Sequence, residues 1–149
     1  MDVLNVTTIN CRGQTRFNVA KQLQIQHFIV SHKIDIALLQ ETNFNTETFD
    51  KFYNIKSNFS YVYNNSNNEF GTAVIVRNTL DINNINIDTE GRIIKCDVGG
   101  ITFANVYAPS GSDGDSRSHR ERIFGDSLPN ILINRKDNGI IGGTGIVLS

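Results

Sequence analysis

The seven residues Asp35-Ile36-Ala37-Leu38-Leu39-Gln40-Glu41 constrain the fold more than any other stretch of the chain. Apolar residues follow one another without a polar break from Ile36 to Leu39, so neither the alternation of a half-buried strand nor the 3.6-residue period of a surface helix is present. A run this short that ends in polar groups reads as a strand buried on both faces. Upstream, Val3-Leu4-Asn5-Val6-Thr7-Thr8-Ile9 is rich in β-branched residues and passes into the polar Asn10-Cys11-Arg12-Gly13, as a strand entering a loop does. Between the two runs, over 18–32, Val19, Ala20, Leu23, Phe28 and Ile29 fall on one helical face, with Asn18 placed to cap it. Strand, helix and strand within this span predict a βαβ unit.

Beyond it the pattern changes. Thr46 to Asn54 reads as a helix with Phe49, Phe52 and Tyr53 on one side. Short strands separated by turn signals follow at 59–63, 70–77, 82–87, 92–98 and 101–107, which predicts an antiparallel meander. Residues 109–116 are rich in Gly, Ser and Asp and read as loop. Ile123, Phe124, Leu128, Ile131 and Leu132 then predict a helix over 117–134, kinked at Pro129. The chain closes with a strand from Gly139 into a Gly-rich turn. With 149 residues, no internal repeat and no linker, one domain of α/β (α+β) class is expected, its sheet largely antiparallel and its helices outside.

Composition narrows the chemistry. With 14 Lys and Arg against 15 Asp and Glu, the formal net charge is -1, so no bulk positive field holds a polyanion and a histone-like binder is excluded. An enzyme that meets a phosphodiester through a divalent cation remains compatible, because the cation brings the positive charge. Two cysteines, Cys11 and Cys96, make neither an all-Cys zinc site nor a disulfide framework, and read as small core hydrophobes. The N-terminus lacks a basic and apolar leader, and unbroken apolar runs such as Ala73 to Val76 fall far short of the about 20 residues of a membrane span. The expectation is a soluble intracellular protein without a membrane partner.

Polar groups stand at the ends of predicted strands: Asn10, Glu41, and the pair Asn105 and Tyr107. Ligands gather at strand ends, yet a single Glu there is more often a solvated strand end or a helix cap. By themselves Asn10 reads equally as the cap of the turn at Gly13, and Tyr107 as a strand-end aromatic before Ala108-Pro109. The words Thr8-Ile9-Asn10-Cys11-Arg12-Gly13, Asp35 to Thr42, Gly71-Thr72-Ala73-Val74-Ile75-Val76 and Asn105-Val106-Tyr107-Ala108-Pro109-Ser110 occur in this order. Together they resemble the endonuclease/exonuclease/phosphatase superfamily, and within it the apurinic/apyrimidinic-type endonuclease domain of non-LTR retrotransposons. The resemblance implies a two-sheet α/β sandwich with outer helices, a divalent metal (Mg²⁺ or Mn²⁺) and hydrolytic nicking of a DNA phosphodiester. It implies that Glu41 binds the metal and that Asn10 supports metal and phosphate. It gives catalytic places to Tyr107, whose phenol can donate a hydrogen bond to developing negative charge, and to Asn105 on the same strand face. Arg120 or Arg122 resembles a basic residue that reaches the DNA backbone, the alternative being a solvated helix face. His27, His32 and His119 match no motif.

The chain also departs from the family pattern. Where the family carries Gly-Asp-x-Asn, this sequence reads Gly142-Gly143-Thr144-Gly145-Ile146, which puts Thr144 near the Asp position and Ile146 near the Asn position. A hydroxyl is far too weakly basic to replace the carboxylate, and the isoleucine side chain has no hydrogen-bonding group. A complete sandwich of this type would run to roughly 200 to 250 residues, and the family's C-terminal Asp-His pair has no counterpart. The expectations are therefore a partial domain over 1–149, impaired nicking or a noncatalytic remnant that binds metal, DNA or a partner, and self-association through an exposed sheet face.

Overall fold

The computed structural model describes residues 3–11, 19–42, 58–64, 71–108, 114–124, 139–143 and 146–148. Strand β1 (Val6–Asn10), helix α1 (Val19–Ser31) and strand β2 (Ile36–Gln40) form the βαβ unit, with β1 and β2 parallel and paired from Val6 against Ile36 to Asn10 against Gln40. Strands β3 (Phe59–Asn64) and β4 (Thr72–Arg77) complete a four-stranded sheet in the order β1-β2-β4-β3, β4 being antiparallel to both neighbours. Strands β5 (Ile82–Ile87), β6 (Ile93–Val98), β7 (Ile101–Val106), β8 (Gly139–Gly143) and β9 (Ile146–Leu148) follow one another across a second, five-stranded sheet. Its one parallel pair, β7 with β8, is joined by the crossover that contains helix α2 (Gly114–Arg122).

The strands read as one meander divide between the sheets. β2 has two edges to satisfy as well as two faces; β1 takes one edge, so β4 takes the other and carries β3 with it. The chain then crosses to the second sheet between Arg77 and Ile82, and Leu80 and Ile82 pack in the layer between the sheets.

Three apolar layers explain why β2 shows no alternation. Ile36 and Leu38 point inward with Val74 and Val76 against Ile94, Cys96, Val98 and Phe103 of the second sheet. Ala37 and Leu39 point the other way with Ala73 and Ile75, under Ile25 and Ile29 of α1. On the far side of the second sheet Ile93, Ala104 and Val106 meet Ile123, just past α2. Each fully buried Leu, Ile or Phe contributes about 1.5–3 kcal/mol, against about 0–1 kcal/mol for an exposed ion pair, so these layers hold the fold. Cys11 and Cys96 are free thiols buried within them.

Because each sheet covers the inner face of the other, the exposed inner face anticipated from the sequence is not present among the described residues. Among the described residues the exposed large apolar side chains are Val3, Phe124, Ile85 and Ile87 on the edge strand β5, and Leu23, Phe28 and Val30 on α1; Leu23 and Phe28, expected on the packed face of α1, face outward, and Ile25 packs inward with Ile29. Helix α2 starts at Gly114, three residues ahead of the expected Arg117, with Asp115 in its first turn facing the positive end of the helix dipole. The expected helix at 46–54 and the stretch 125–134 with Pro129 lie outside the described residues. No helix among the described residues is long and apolar enough to cross a membrane.

Candidate active site

Strands β1, β2 and β7 finish at the same end of the sandwich. The parallel pairing sets Asn10 beside Gln40, and the Cys11 N–H donates to the Gln40 carbonyl at 2.8 Å. Across the layer, Gln40 Nε2 donates to Asn105 Oδ1 at 2.8 Å, to Thr8 Oγ1 at 2.9 Å and to the Leu38 carbonyl at 3.1 Å. Asn105 Nδ2 donates in turn to the carbonyls of Leu39 and Ala73, both at 2.8 Å. The period-two rule sends Ile101, Phe103 and Asn105 to one face, so an amide enters the inter-sheet layer, where Asn105 is 0% exposed. Such a group is tolerated only when its donors and acceptor are used, and here they join β2 and β4 of one sheet to β7 of the other.

Glu41 follows β2 directly and Tyr107 follows β7 directly. The Tyr107 hydroxyl donates a hydrogen bond to the Glu41 carboxylate. Tyr107 is only 5% exposed, and its hydroxyl is pushed up to about 12, first by burial and then by the bond to Glu41 and its charge, with Arg92 acting in the opposite direction. Glu41 has φ +51°, the left-handed region that a residue with a Cβ rarely occupies. Strain of this kind costs on the order of 1–3 kcal/mol and persists where neighbouring bonds fix the backbone. Here those are Cys11 N–H to the Gln40 carbonyl on one side and Thr42 N–H to the Gly71 carbonyl, 3.1 Å, on the other.

The turn between β5 and β6 closes the site. Asp88 Oδ1 accepts from the N–H groups of Arg92 and Ile93, both at 2.9 Å, and from Asn64 Nδ2 at 2.8 Å, which docks the turn on the end of β3. Arg92, 3% exposed, lays its guanidinium over the Tyr107 ring with Cζ 5.4 Å from the centroid, and its carbonyl accepts from the Tyr107 N–H at 2.8 Å. Glu90 Oε2 lies 3.7 Å from Arg92 Nε while its Oε1 lies 2.9 Å from Arg122 Nη2. Arg122 is half-exposed and so retains solvent-facing donors; Arg120 is half-buried on the same helix.

Asn10, Glu41 and Tyr107 are thus brought together, with Asn105 beneath them and Arg122 reached through Glu90 and Arg92. Burial pushes the Cys11 thiol up to about 12, with the charges of Lys21 and Glu41 also felt there, which puts Lys21 of α1 at this end too. β8 runs alongside β7 with Gly142 opposite Asn105 and Gly143 opposite Val106, heading toward the same end; Thr144 lies outside the described residues. His32 stacks on Phe28 with ring centroids 4.2 Å apart, and His27 is exposed on α1; no side-chain placement is described for His119.

Among the described residues no group of three or more His, Cys, Asp and Glu lies together as a metal cage. Mg²⁺ asks for less: one or two carboxylates, with water and phosphate oxygens completing its octahedron. The Glu41 carboxylate and the Asn10 amide oxygen, hard donors on neighbouring strand ends, fit that demand.

Three participants were not singled out from the sequence. Gln40 carried a signal, being the polar residue in phase with Ile36 and Leu38. Glu90 and Arg92 flank a turn glycine, and nothing in their spacing marks the long-range contacts with Arg122 and Tyr107.

Solved structures share this architecture. An AP endonuclease from Archaeoglobus fulgidus superposes with a TM-score of 0.73 at 18% identity, covering 95% of this chain and 56% of that one. A 3'-5' exonuclease from Neisseria meningitidis gives 0.75 at 19% identity, covering 93% and 56%. A Neisseria 3' phosphatase bound to a product DNA hairpin gives 0.76 at 19% identity, covering 95% and 57%. At such identities the likeness is one of fold, and the chain spans little more than half the length of these structures. No curated protein matches it. The strand-end words and the two-sheet sandwich nevertheless agree with a match over residues 7–143, by which the chain belongs to the Endonuclease/Exonuclease/phosphatase family.

Proposed function

We propose that the chain is a metal-dependent phosphodiester hydrolase domain acting on DNA, with low activity. The observation that carries this reading is the Tyr107 hydroxyl held on the Glu41 carboxylate where the ends of β1, β2 and β7 meet. Glu41 with Asn10 would hold Mg²⁺ or Mn²⁺, which when bound supplies Lewis-acid polarisation and positive charge at the phosphate. Tyr107 stays protonated at neutral pH and so offers a donor to a phosphate oxygen as negative charge develops. Asn105 acts from beneath, keeping the Glu41 strand and the Tyr107 strand at a fixed separation. Arg122, with Arg120, offers donors to the backbone of the nucleic acid. The DNA hairpin in the Neisseria structure supports DNA as the substrate class.

Low activity is expected from Thr144 and Ile146, which stand near the places where the family pattern has an Asp and an Asn. A positioned acid or base contributes typically about 10²- to 10⁴-fold, and Thr144 cannot supply it. The same substitutions favour a second reading, a noncatalytic domain that retains metal and DNA. The word Asn105-Val106-Tyr107-Ala108-Pro109-Ser110 supports a retrotransposon origin, tested by looking for a reverse-transcriptase frame beside this one.

Supercoiled plasmid incubated with the protein and Mg²⁺ or Mn²⁺ tests the function. Slow nicking that disappears in Glu41→Ala is the expected result. Metal-dependent retention of DNA without nicking would leave the second reading, and neither nicking nor retention would overturn both.

A further inference from the structure

We propose that Arg92 is the positioning residue of this site: its buried guanidinium, laid on the ring of Tyr107 and held by Glu90, fixes the direction in which the Tyr107 hydroxyl is presented. Only what that hydroxyl acts on rests on the phosphodiesterase reading.

The argument starts from cost. Arg92 lies at the end of a turn, where an arginine normally extends into water, yet it is 3% exposed. Burying a guanidinium is unfavourable unless its charge is compensated, and the contacts seen at its Nε and ring-facing side are electrostatic, with a carboxylate and a ring face, neither at hydrogen-bond distance. One face meets the electron-rich face of the Tyr107 ring at 5.4 Å, a cation–π geometry, and Nε lies 3.7 Å from Glu90. The backbone of the same residue holds Tyr107 as well, its carbonyl accepting from the Tyr107 N–H at 2.8 Å, while its own N–H is tied to Asp88 at 2.9 Å.

Tyr107 is therefore gripped at its main chain and its ring face by one residue, and at its hydroxyl by Glu41. The main-chain bond survives any side-chain change at Arg92. What the guanidinium adds is a restraint on ring orientation, the variable that decides where the hydroxyl points. Glu90 shares its carboxylate with Arg122 at 2.9 Å, so the restraint is anchored on α2 as well as on the β5–β6 turn. Arg92→Lys keeps the charge and loses the planar face, whereas Glu90→Gln keeps the face and loosens the tether.

The experiment uses the full chain with tyrosine labelled with carbon-13 at ring Cζ, which reports the hydroxyl's hydrogen bonding. The chain has 4 tyrosines, and the Tyr107 signal is the one missing from Tyr107→Phe. In Arg92→Met that signal is expected to move toward the free-tyrosine position while the other tyrosine signals stay in place, with smaller shifts in Arg92→Lys and Glu90→Gln. On a phosphodiester substrate, kcat of Arg92→Met is expected to fall about 10- to 100-fold while KM changes less than about threefold. The same substitution in the Tyr107→Phe background is expected to add no further loss. An unmoved Tyr107 signal in folded Arg92→Met, or losses that multiply in the double variant, overturns the proposal. If Arg92→Met does not fold, an unmoved signal in both Arg92→Lys and Glu90→Gln overturns it equally. A Tyr107 signal that moves in Arg92→Met, where the wild-type protein itself hydrolyses no phosphodiester, sinks the functional reading and leaves the positioning role standing.

Discussion

Asn105 commits its amide to Gln40, Leu39 and Ala73 in a layer that is otherwise hydrocarbon. Replacing it by Asp removes the two N–H donors and turns an oxygen toward two carbonyls. Each buried group left unpartnered costs on the order of 1–3 kcal/mol, so Asn105→Asp is expected to lose several kcal/mol in urea unfolding, with Asn105→Ala losing less. Equal stability of Asn105→Asp and the parent would refute the stitching role. The buried thiols make a separate statement about pH. Cys11 and Cys96 are both pushed up to about 12 from an ordinary value of 9.0, burial being the first cause in each case. The folded state therefore holds these protons more tightly than the unfolded state does. Their contribution to stability is intact below about pH 9 and is lost as pH rises toward 12. Native protein at pH 8 is expected to react with a thiol reagent far more slowly than protein in guanidinium; fast native labelling of both thiols would contradict the burial.

At the scale of elements, the sequence was most legible where local pattern and tertiary demand coincide. The βαβ unit could be read because β2 is apolar on both faces and an apolar helical span lies between the strands; the face of α1 could not, since Ala20, Leu23 and Phe28 are exposed and Ile25 joins Ile29 in the core. The division of the later strands between two sheets was hidden, since short alternating strands and turns look the same whichever sheet receives them. Insertion of β4 beside β2 is settled by which edge is open, a property of the assembled sheet. For the site, strand ends were readable and the sequence brought Asn10, Glu41 and Tyr107 forward; the Glu90–Arg92 arm was not readable, because its partners come from distant elements. Packing at this scale gives a direct comparison. Leu38→Ala in the inter-sheet layer is expected to cost about 2–5 kcal/mol, whereas Leu23→Ala on the exposed side of α1 should stay within about 0.5 kcal/mol. Denaturation midpoints of the two variants check both; a similar loss at both positions would mean that α1 packs with its other face inward.

For the whole molecule, the proposed function turns on the mismatch between a net charge of -1 and the polyanionic substrate it would require. With no bulk attraction, the affinity for DNA that the proposed function requires would have to come from the few cations at the site end and from a metal held by Glu41. Lys21 lies near Cys11, and Arg122 turns part of its guanidinium to solvent beside Glu90. Arg92 is excluded from this role by its burial under the turn. Each phosphate neutralised contributes about 0.9 to the slope of log K against log salt, so two or three contacts predict a slope of about −2 to −3 for duplex DNA. Anisotropy titrations between about 50 and 200 mM salt, with Ca²⁺ in place of Mg²⁺ to hold back hydrolysis, measure it. Arg122→Gln should weaken binding on all duplex sequences alike and bring the slope closer to zero by about one unit, since a phosphate contact carries no base preference. A slope steeper than about −6 would show that DNA is gripped by an extended basic surface, and the metal-centred account of binding would have to be abandoned.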